Sequence, residues 1–228
     1  MFMKRGFTLL ELLICLLVLA TLIAILFPVF FYVKKNAIKI NTFSSLRNLG
    51  IAWKLYSNDY DDYLMRGNYG GENWFGNGGG GVLGPYIRMR DIRDKSVDWF
   101  SINKVSYWPG YGYNPYFSVN DIYNRPSALH ISAISDLSGT VCFAPAAGYF
   151  KVNGRDELYN VAMLSAPSFR FPTFHARFSG NSGVLWADGH VSNERAKYLV
   201  FNPIYKNLYL GEIDRDSNWR TDESFDLN

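Results

Sequence analysis

The chain begins Met1-Phe-Met-Lys-Arg-Gly-Phe-Thr-Leu-Leu-Glu11, and the residues that follow are apolar as far as Val33. Between Phe7 and Val33, Glu11 is the only charged residue. An ionisable side chain in a membrane helix costs about 2.5–3.5 kcal/mol at the helix centre, and less near an end. Glu11 is therefore a candidate functional residue, and its function depends on which group it pairs with.

The segment from Phe7 to Val33 is long enough to cross a hydrocarbon core of about 30 Å. Lys4 and Arg5 precede it. The positive-inside rule therefore predicts a cytoplasmic leader and a C-terminal part outside the cytoplasm.

Three other interpretations of this segment are open. Ordinary signal peptidase could cut near Val18 and Ala20, although the apolar run is longer than the core of a usual signal peptide. Lipid modification could target Cys15, although the bulky Ile14 precedes it. An uncleaved monomeric anchor would leave Glu11 without a role.

The stretch Lys4-Arg5-Gly6-Phe7-Thr8-Leu9-Leu10-Glu11 resembles the processing signal of type IV pilins and type II secretion pseudopilins. The resemblance implies that a prepilin peptidase cuts after Gly6 and methylates the new amino terminus at Phe7. It also implies that Glu11 pairs with the terminal amine of a neighbouring subunit. Pilins often carry a proline where this chain has Pro28, and the helix beside it can loosen on assembly.

A second apolar pattern predicts that the helix continues beyond the membrane as an amphipathic helix over residues 34–60. Its apolar positions follow the 3-4-3-4 spacing of one helix face. They are Leu46, Leu49, Trp53, Tyr56 and Tyr60.

Residues 61–228 are expected to form one globular domain of α+β class. The glycine-rich run from Gly67 to Gly84 contains a formal G-x-G-x-x-G match at Gly76–Gly81. No strand pattern precedes this match and no helix pattern follows it, so the run predicts a flexible surface loop rather than a phosphate site.

Short strand-like runs follow this loop. One covers Thr140–Ala144, and two others flank Asp188-Gly189, which is the strongest short hairpin signal in the chain. A short helix is expected at Glu194–Val200, followed by a loop-like tail after Asn202. The expected fold is a long N-terminal transmembrane α-helix packed on a small antiparallel β-sheet domain, the type IV pilin-like fold that the resemblance implies.

The chain also resembles the large pilin-like family named for a histidine, nine residues and Asp-Gly (H-X9-DG). Ten residues before Asp188 the chain has Phe178 in place of that histidine, and the nearest histidine is His175. The family's cysteine after the long helix is also missing, so no disulfide is implied. The similarity rests on the segments Phe27–Phe30, Leu46–Gly50, Tyr56–Asp61, Tyr111–Asn114 and Val184–Val191.

The cysteines and the charge place few further constraints on function. Cys15 lies in the apolar segment and Cys142 in the domain, so Cys142 is expected to be a free buried thiol. The net charge of +3 includes the leader residues, and beyond Lys34-Lys35 no basic cluster indicates nucleic acid. Aromatic residues make up 17% of the chain, which suits either core packing or an interaction face.

No catalytic or cofactor motif is found. The histidines are His130, His175 and His190, and a zinc site would need His175 and His190 to converge with Asp188 across the hairpin. The preferred interpretation is a turn aspartate with two polar surface or strand-end histidines and no metal.

The acidic run Asp214-Arg-Asp-Ser-Asn218 has the alternating oxygens that begin a calcium loop. Trp219 replaces the glycine of an EF-hand and Phe225 replaces its bidentate glutamate, so an EF-hand is excluded. A looser calcium site stays open, with a solvated acidic tail preferred.

The sequence thus predicts a structural filament subunit rather than an enzyme, with residues 1–6 as leader and residues 7–33 as the membrane and assembly helix. Its expected partners are identical or related subunits, a prepilin peptidase, the assembly machinery and the inner membrane. The precursor would cross that membrane once and later join a cell-surface or periplasmic filament. The alternative is a membrane-anchored binding module, or a minor tip subunit, with an aromatic-rich ligand surface.

Overall fold

The computed structural model describes residues 8–66, 68–69, 72–76, 81–88, 92, 109–120, 126–200, 202–218 and 220–225. The chain divides into two compact units, Met1–Ile40 and Asn41–Asn228.

The first unit is helical. Helix α1 begins at Leu9 and ends at Asp59, and it is continuous through Pro28. From Thr8 to Lys35 every side chain is exposed to solvent, including all the large apolar ones. A helix that is apolar on every side and covered by nothing in its own unit has the length and composition of a membrane span.

In the second unit, α1 contributes one face to the domain core. Leu46, Leu49 and Trp53 are at most 1% exposed, as the predicted stripe requires. The stripe does not reach Tyr60, which is 54% exposed, because the helix ends one residue earlier. The ring of Tyr60 instead stacks on Tyr56, with 4.4 Å between ring centroids.

The strands of the second unit are short and pair antiparallel. In chain order they are β1 (Asn68–Tyr69), β2 (Glu72–Asn73), β3 (Tyr111–Tyr113), β4 (Ser118–Asn120), β5 (Pro126–Ala128), β6 (Val141–Pro145), β7 (Ala147–Val152), β8 (Arg155–Asn160), β9 (Phe174–His175), β10 (Asn181–Trp186), β11 (Val191–Arg195) and β12 (Leu210–Gly211). A short helix, α2, covers Pro203–Asn207.

The main sheet has the strand order β11-β10-β6-β3, and both of its faces are covered. On β10, Leu185 belongs to the core that includes the α1 stripe, whereas Val184 and Trp186 belong to a second core on the opposite face. That second core includes Ile213 and Phe225 from the C-terminal segment. Because both faces are buried, β6 reads as a continuous apolar run rather than an alternating one.

Helix α1 and β10 approach closely because glycines lie at their contact. A Cβ added to Gly183 would lie 2.7 Å from the Leu46 side chain, and one added to Gly50 would lie 3.0 Å from Leu185.

The predicted layout, a long N-terminal helix followed by a small antiparallel sheet domain, is confirmed by the bounds of α1 and by the strand pairing.

Two predictions for the C-terminal region are wrong. Residues Glu194 and Arg195 belong to β11 and pair with β10, so no helix forms at Glu194–Val200. The tail after Asn202 is not loop-like throughout, since it begins with α2 and β12; residues 215–218 are exposed, whereas Asp214 is only 8% exposed.

The glycine-rich run is also more ordered at its edges than predicted. Trp74 and Phe75 are fully buried, and so is Leu83. Trp74 Nε1 donates a hydrogen bond to the carbonyl of Ala162 (2.9 Å). The central part of the Gly76–Gly81 match lies outside the described residues.

Cys142 is a free buried cysteine, as predicted, and Cys15 is a free exposed one. Burial raises the pKa of the Cys142 thiol well above its ordinary value, so this thiol stays protonated at neutral pH.

Substitution of Gly112 by alanine is expected to destabilise the domain by about 1–3 kcal/mol. A Cβ at this position would lie 2.8 Å from Ala146 Cβ and 2.9 Å from the carbonyl carbon of Met163, and neither atom can move freely. Gly50→Ala is the control, because its new methyl would meet only movable Leu185 methyl groups and would gain helix propensity. Thermal unfolding of both variants in detergent tests this prediction. An equal loss of stability in Gly112→Ala and Gly50→Ala would contradict it.

His175 is expected to lower the stability of the domain as the pH drops from 6.5 towards 4, against the opposite contribution of Glu212, whose pKa burial raises to about 7. The His175 side chain in β9 is 3% exposed, and burial lowers its pKa to about 4. Between pH 6.5 and pH 4 the unfolded chain binds a proton at His175 that the folded domain does not, so acidification at this group favours unfolding by up to about 3 kcal/mol.

The measurement is the free energy of unfolding of the wild type and His175→Gln from pH 7 to pH 4. The glutamine variant should lose stability less steeply, since one titrating group is gone. Parallel curves for the two proteins would show that His175 does not titrate in this range.

Candidate functional site

The predicted processing residues Lys4, Arg5, Gly6 and Phe7 lie outside the described residues. The description begins at Thr8, immediately before the first residue of α1. The site can therefore be followed from Thr8 into the membrane segment.

Glu11 is bound to Thr8 at the start of α1. The Thr8 backbone N–H donates to Glu11 Oε2 (2.9 Å), and the Thr8 hydroxyl donates to the same oxygen (2.8 Å). In return, the Glu11 backbone N–H donates to Thr8 Oγ1 (3.3 Å). This reciprocal arrangement is a capping box, in which N-cap threonine and glutamate three residues later satisfy each other's backbone N–H groups.

The capping box leaves one carboxylate oxygen of Glu11 available. Both bonds from Thr8 end at Oε2, and Oε1 accepts no hydrogen bond within the described part of the chain. The carboxylate is thus held in place by its own helix while it retains a free acceptor.

Sequence reasoning missed the role of Thr8, although a signal was present. Thr8-Leu-Leu-Glu11 before an apolar run is the sequence pattern of a capping box. The charge of Glu11 in a membrane segment points first to a partner on another chain, and this hides the local pattern.

Around Pro28 the helix surface is aromatic. Phe27 and Phe31 are more than half exposed, and their rings meet edge to face with 4.9 Å between centroids. Proline lacks the N–H that would bond the Ala24 carbonyl, so the helix has one bond fewer at this point.

The Asp188-Gly189 motif forms the predicted hairpin between β10 and β11. The Gly189 N–H donates to the Trp186 carbonyl (2.9 Å), and Gly189 has a φ of 95°, which a residue with a side chain rarely adopts. Asp188 Oδ1 accepts the His190 backbone N–H (3.0 Å) and lies 2.6 Å from His190 Nδ1. Hydrogen bonds between neighbouring residues of the hairpin therefore stabilise this turn.

A small cleft of about 170 Å³ opens beside this hairpin. The His190 ring stacks over Trp186 with 5.8 Å between centroids, and the Arg215 guanidinium lies 5.5 Å from the Trp186 ring centroid. Glu194 and Asp214 also line the cleft. Because both acidic and basic side chains line the cleft, its charge does not indicate one class of ligand.

The histidines do not converge. Among the described residues, His175 does not belong with Asp188 and His190 to any group close enough to share a metal ion. The group that the structure does bring together is Asp214, Asp216 and Glu223. Two of these residues were in the predicted acidic run, and Glu223 was not.

The chain matches the family model of the prokaryotic N-terminal methylation motif over residues 1–27. No curated protein and no solved structure matches the chain. The motif covers the leader residues, Glu11 and most of the apolar segment, and it belongs to structural proteins. In its N-terminal motif and its α+β layout, the chain is thus a type IV pilin-like protein.

Proposed function

We propose that this protein is a structural subunit of a type IV pilus-like or type II secretion pseudopilus filament, without enzymatic activity. Prepilin peptidase cuts the precursor between Gly6 and Phe7 and methylates Phe7, and the subunit then assembles through α1. The observation that carries the proposal is the methylation motif at residues 1–27, placed on a helix whose apolar side chains have no cover in their own unit.

Before assembly, the lipid bilayer covers these apolar side chains. Lys4 and Arg5 hold the leader in the cytoplasm, and the domain of residues 41–228 lies outside. In the filament, helices of identical or related subunits replace the lipid. The final location is the cell surface or the periplasm, depending on which assembly machinery acts.

Glu11 selects the neighbour. Its Oε2 is occupied by Thr8, whereas Oε1 accepts nothing from its own chain within the described residues. The terminal ammonium that cleavage creates on a second subunit supplies the missing donor. In a low-dielectric setting such a matched pair is much stronger than an exposed one, and either charge alone is costly.

The alternative function is a membrane-anchored binding module or minor tip subunit with aromatic ligand contacts. Phe169 and Phe171 favour it, because they are 65% and 42% exposed and lie two positions apart between β8 and β9. The burial of other aromatic side chains argues against this alternative, since Trp53, Trp74 and Tyr113 are all at most 1% exposed. The high aromatic content is therefore largely explained by core packing.

Cleavage is expected between Gly6 and Phe7. Mass spectrometry of the N-terminal peptide of the mature protein should find methylated Phe7 as its first residue. Gly6→Val should leave the precursor intact, because a branched side chain replaces the small residue at the cut. A mature protein that retains Met1, or that begins near Thr21, would remove the filament interpretation.

Glu11→Val is expected to leave cleavage and membrane insertion intact and to abolish assembly. The cut precedes Glu11, and valine removes the cost of inserting a carboxylate, but the acceptor for the neighbouring ammonium is lost. The readout is the fraction of mature protein in sheared filaments or in crosslinked ladders.

Thr21→Val is the matched control, because Thr21 is a polar side chain of the same helix that bonds only its own backbone, at the Val18 carbonyl (2.8 Å). This variant should assemble like the wild type. Normal filament yield from Glu11→Val at equal membrane abundance would favour the monomeric anchored module.

A further inference from the structure

The segment between β8 and β9 carries two exposed phenylalanine rings. Phe169 is 65% exposed and Phe171 is 42% exposed, and Arg170 between them is exposed as well. The ring of Phe169 meets Tyr116 edge to face, with 6.4 Å between ring centroids, but this contact leaves most of the Phe169 side chain open to solvent. Residues 166–172, the aromatic loop, thus present apolar surface that the described part of the domain does not cover.

Hydrogen bonds to two other segments fasten the aromatic loop to the domain. The Ser165 N–H donates to Thr173 Oγ1 (2.8 Å), which closes the base of the loop. The Ser168 N–H donates to Asp222 Oδ1 (2.9 Å), and the Ser168 hydroxyl donates to Asp222 Oδ2 (2.6 Å). These bonds tie the loop to the C-terminal segment, and they engage both oxygens of the Asp222 carboxylate.

Local bonds fix the backbone at the tip of the loop. The Phe169 N–H donates to the Ala166 carbonyl (3.1 Å), and the Arg170 N–H donates to the Pro167 carbonyl (3.0 Å). Arg170 has a φ of 55°, in the left-handed region that residues with side chains rarely adopt. Strained backbone of this kind clusters at binding sites and persists only where the surrounding structure holds it. The two exposed rings therefore lie on a backbone that is fixed before any partner binds.

The membrane segment keeps the domain close to a lipid surface. Residues 34–40 separate the apolar segment, which ends at Val33, from the domain, which begins at Asn41. Seven residues span at most about 25 Å even when fully extended. A surface tethered at such short range meets its partner at a high effective concentration, so even a weak contact with lipid is populated.

We propose that Phe169, Arg170 and Phe171 dock on the phospholipid headgroup surface of the membrane that anchors the chain. Aromatic and aliphatic side chains are buried at the boundary between headgroups and acyl chains when a protein lies on a membrane. The guanidinium of arginine forms bidentate hydrogen bonds with phosphate, which phospholipid headgroups carry. A basic residue between two aromatic ones therefore matches the lipid surface both in charge and in polarity.

A second copy of the chain is the other candidate partner of the aromatic loop. The cleft beside the β10–β11 hairpin does not match it, because acidic and basic side chains line that cleft and two phenyl rings need an apolar one. Docking on lipid gives the chain a membrane contact in addition to its helix before assembly. This inference rests on the membrane anchorage in the proposed function and is independent of which filament forms.

The test uses the full chain at low density in vesicles of phosphatidylethanolamine and phosphatidylglycerol that contain acyl-brominated lipid. One fluorophore is attached to a single cysteine in each of three proteins. The first carries it on native Cys15 in the apolar segment. The other two have Cys15→Ser and carry it on Phe171→Cys in the loop or on Lys151→Cys at an exposed position of β7. Cys142 is buried and stays unlabelled in a folded domain, so its labelling would report a variant that does not fold.

Brominated lipid should quench the fluorophore at Cys15 and at Phe171→Cys, whereas iodide in the buffer should quench only the one at Lys151→Cys. Lipid quenching at Cys15 alone, with Phe171→Cys as open to iodide as Lys151→Cys, would overturn the docking and leave the anchor in place. Protection of Phe171→Cys from both quenchers, with crosslinking to a second chain, would overturn it in favour of a protein contact. No lipid quenching at Cys15 would contradict the anchorage itself, and the docking with it.

Two substitutions in the loop measure what each side chain contributes, read from lipid quenching of the Phe171→Cys fluorophore. Phe169→Ser should lower the ratio of docked to undocked loop about tenfold, because one apolar ring is lost from the contact. Arg170→Gln should lower it about fivefold, the effect of one basic residue at an anionic surface.

Tyr209→Ser is the matched control, because it removes a ring that is 43% exposed outside the aromatic loop, and the ratio should not change. An equal loss in Tyr209→Ser, or no loss in Phe169→Ser, would overturn the docking. If labelling of Cys142 shows that Phe171→Cys does not fold, Phe169→Cys carries the fluorophore and Phe171→Ser replaces Phe169→Ser, with the same expected results.

Discussion

The domain of residues 41–228 depends on one contact, the close approach of α1 to β10. Gly50 on the helix faces Leu185, and Gly183 on the strand faces Leu46, so each glycine makes room for a leucine of the other element. Interiors are packed without spare volume, so a side chain at either glycine would have to displace the leucine that faces it. The sheet can then be covered on this face by α1 and on the other by the C-terminal segment.

Two carboxylates in different parts of the chain present the same physical problem. Glu11 lies in an apolar segment and Asp214 in a buried loop, and each has one oxygen held by its own backbone neighbourhood and one without a donor. An isolated charge in such surroundings is unfavourable. For Glu11, the proposed partner is a cation that belongs to a second subunit.

The elements predicted from sequence were those with a strong local pattern. The helix was readable from the apolar run and from Leu46, Leu49 and Trp53 at helical spacing, and the hairpin from Asp188-Gly189. The local sequence of Glu194–Val200 suits a helix, but pairing of Glu194 with Ser182 across the β10–β11 ladder stabilises a strand. Long-range pairing of this kind overrides weak local propensity.

The sequence by itself determined the proposed processing and assembly site at the N-terminus. The basic leader, Gly6, Phe7 and Glu11 are contiguous, and their chemistry depends on spacing along one helix. Even the Thr8–Glu11 capping box was present in the sequence as a local pattern. Contiguous features of this kind need no knowledge of the rest of the fold.

Only the tertiary structure decided the rest. The burial of Trp74 beside a glycine-rich run and the meeting of Glu223 with Asp214 and Asp216 depend on how distant segments pack on the sheet. A carboxylate cluster or a buried aromatic ring is defined by distances through space. The sequence alone does not determine those distances, because many chain paths are compatible with the same local pattern.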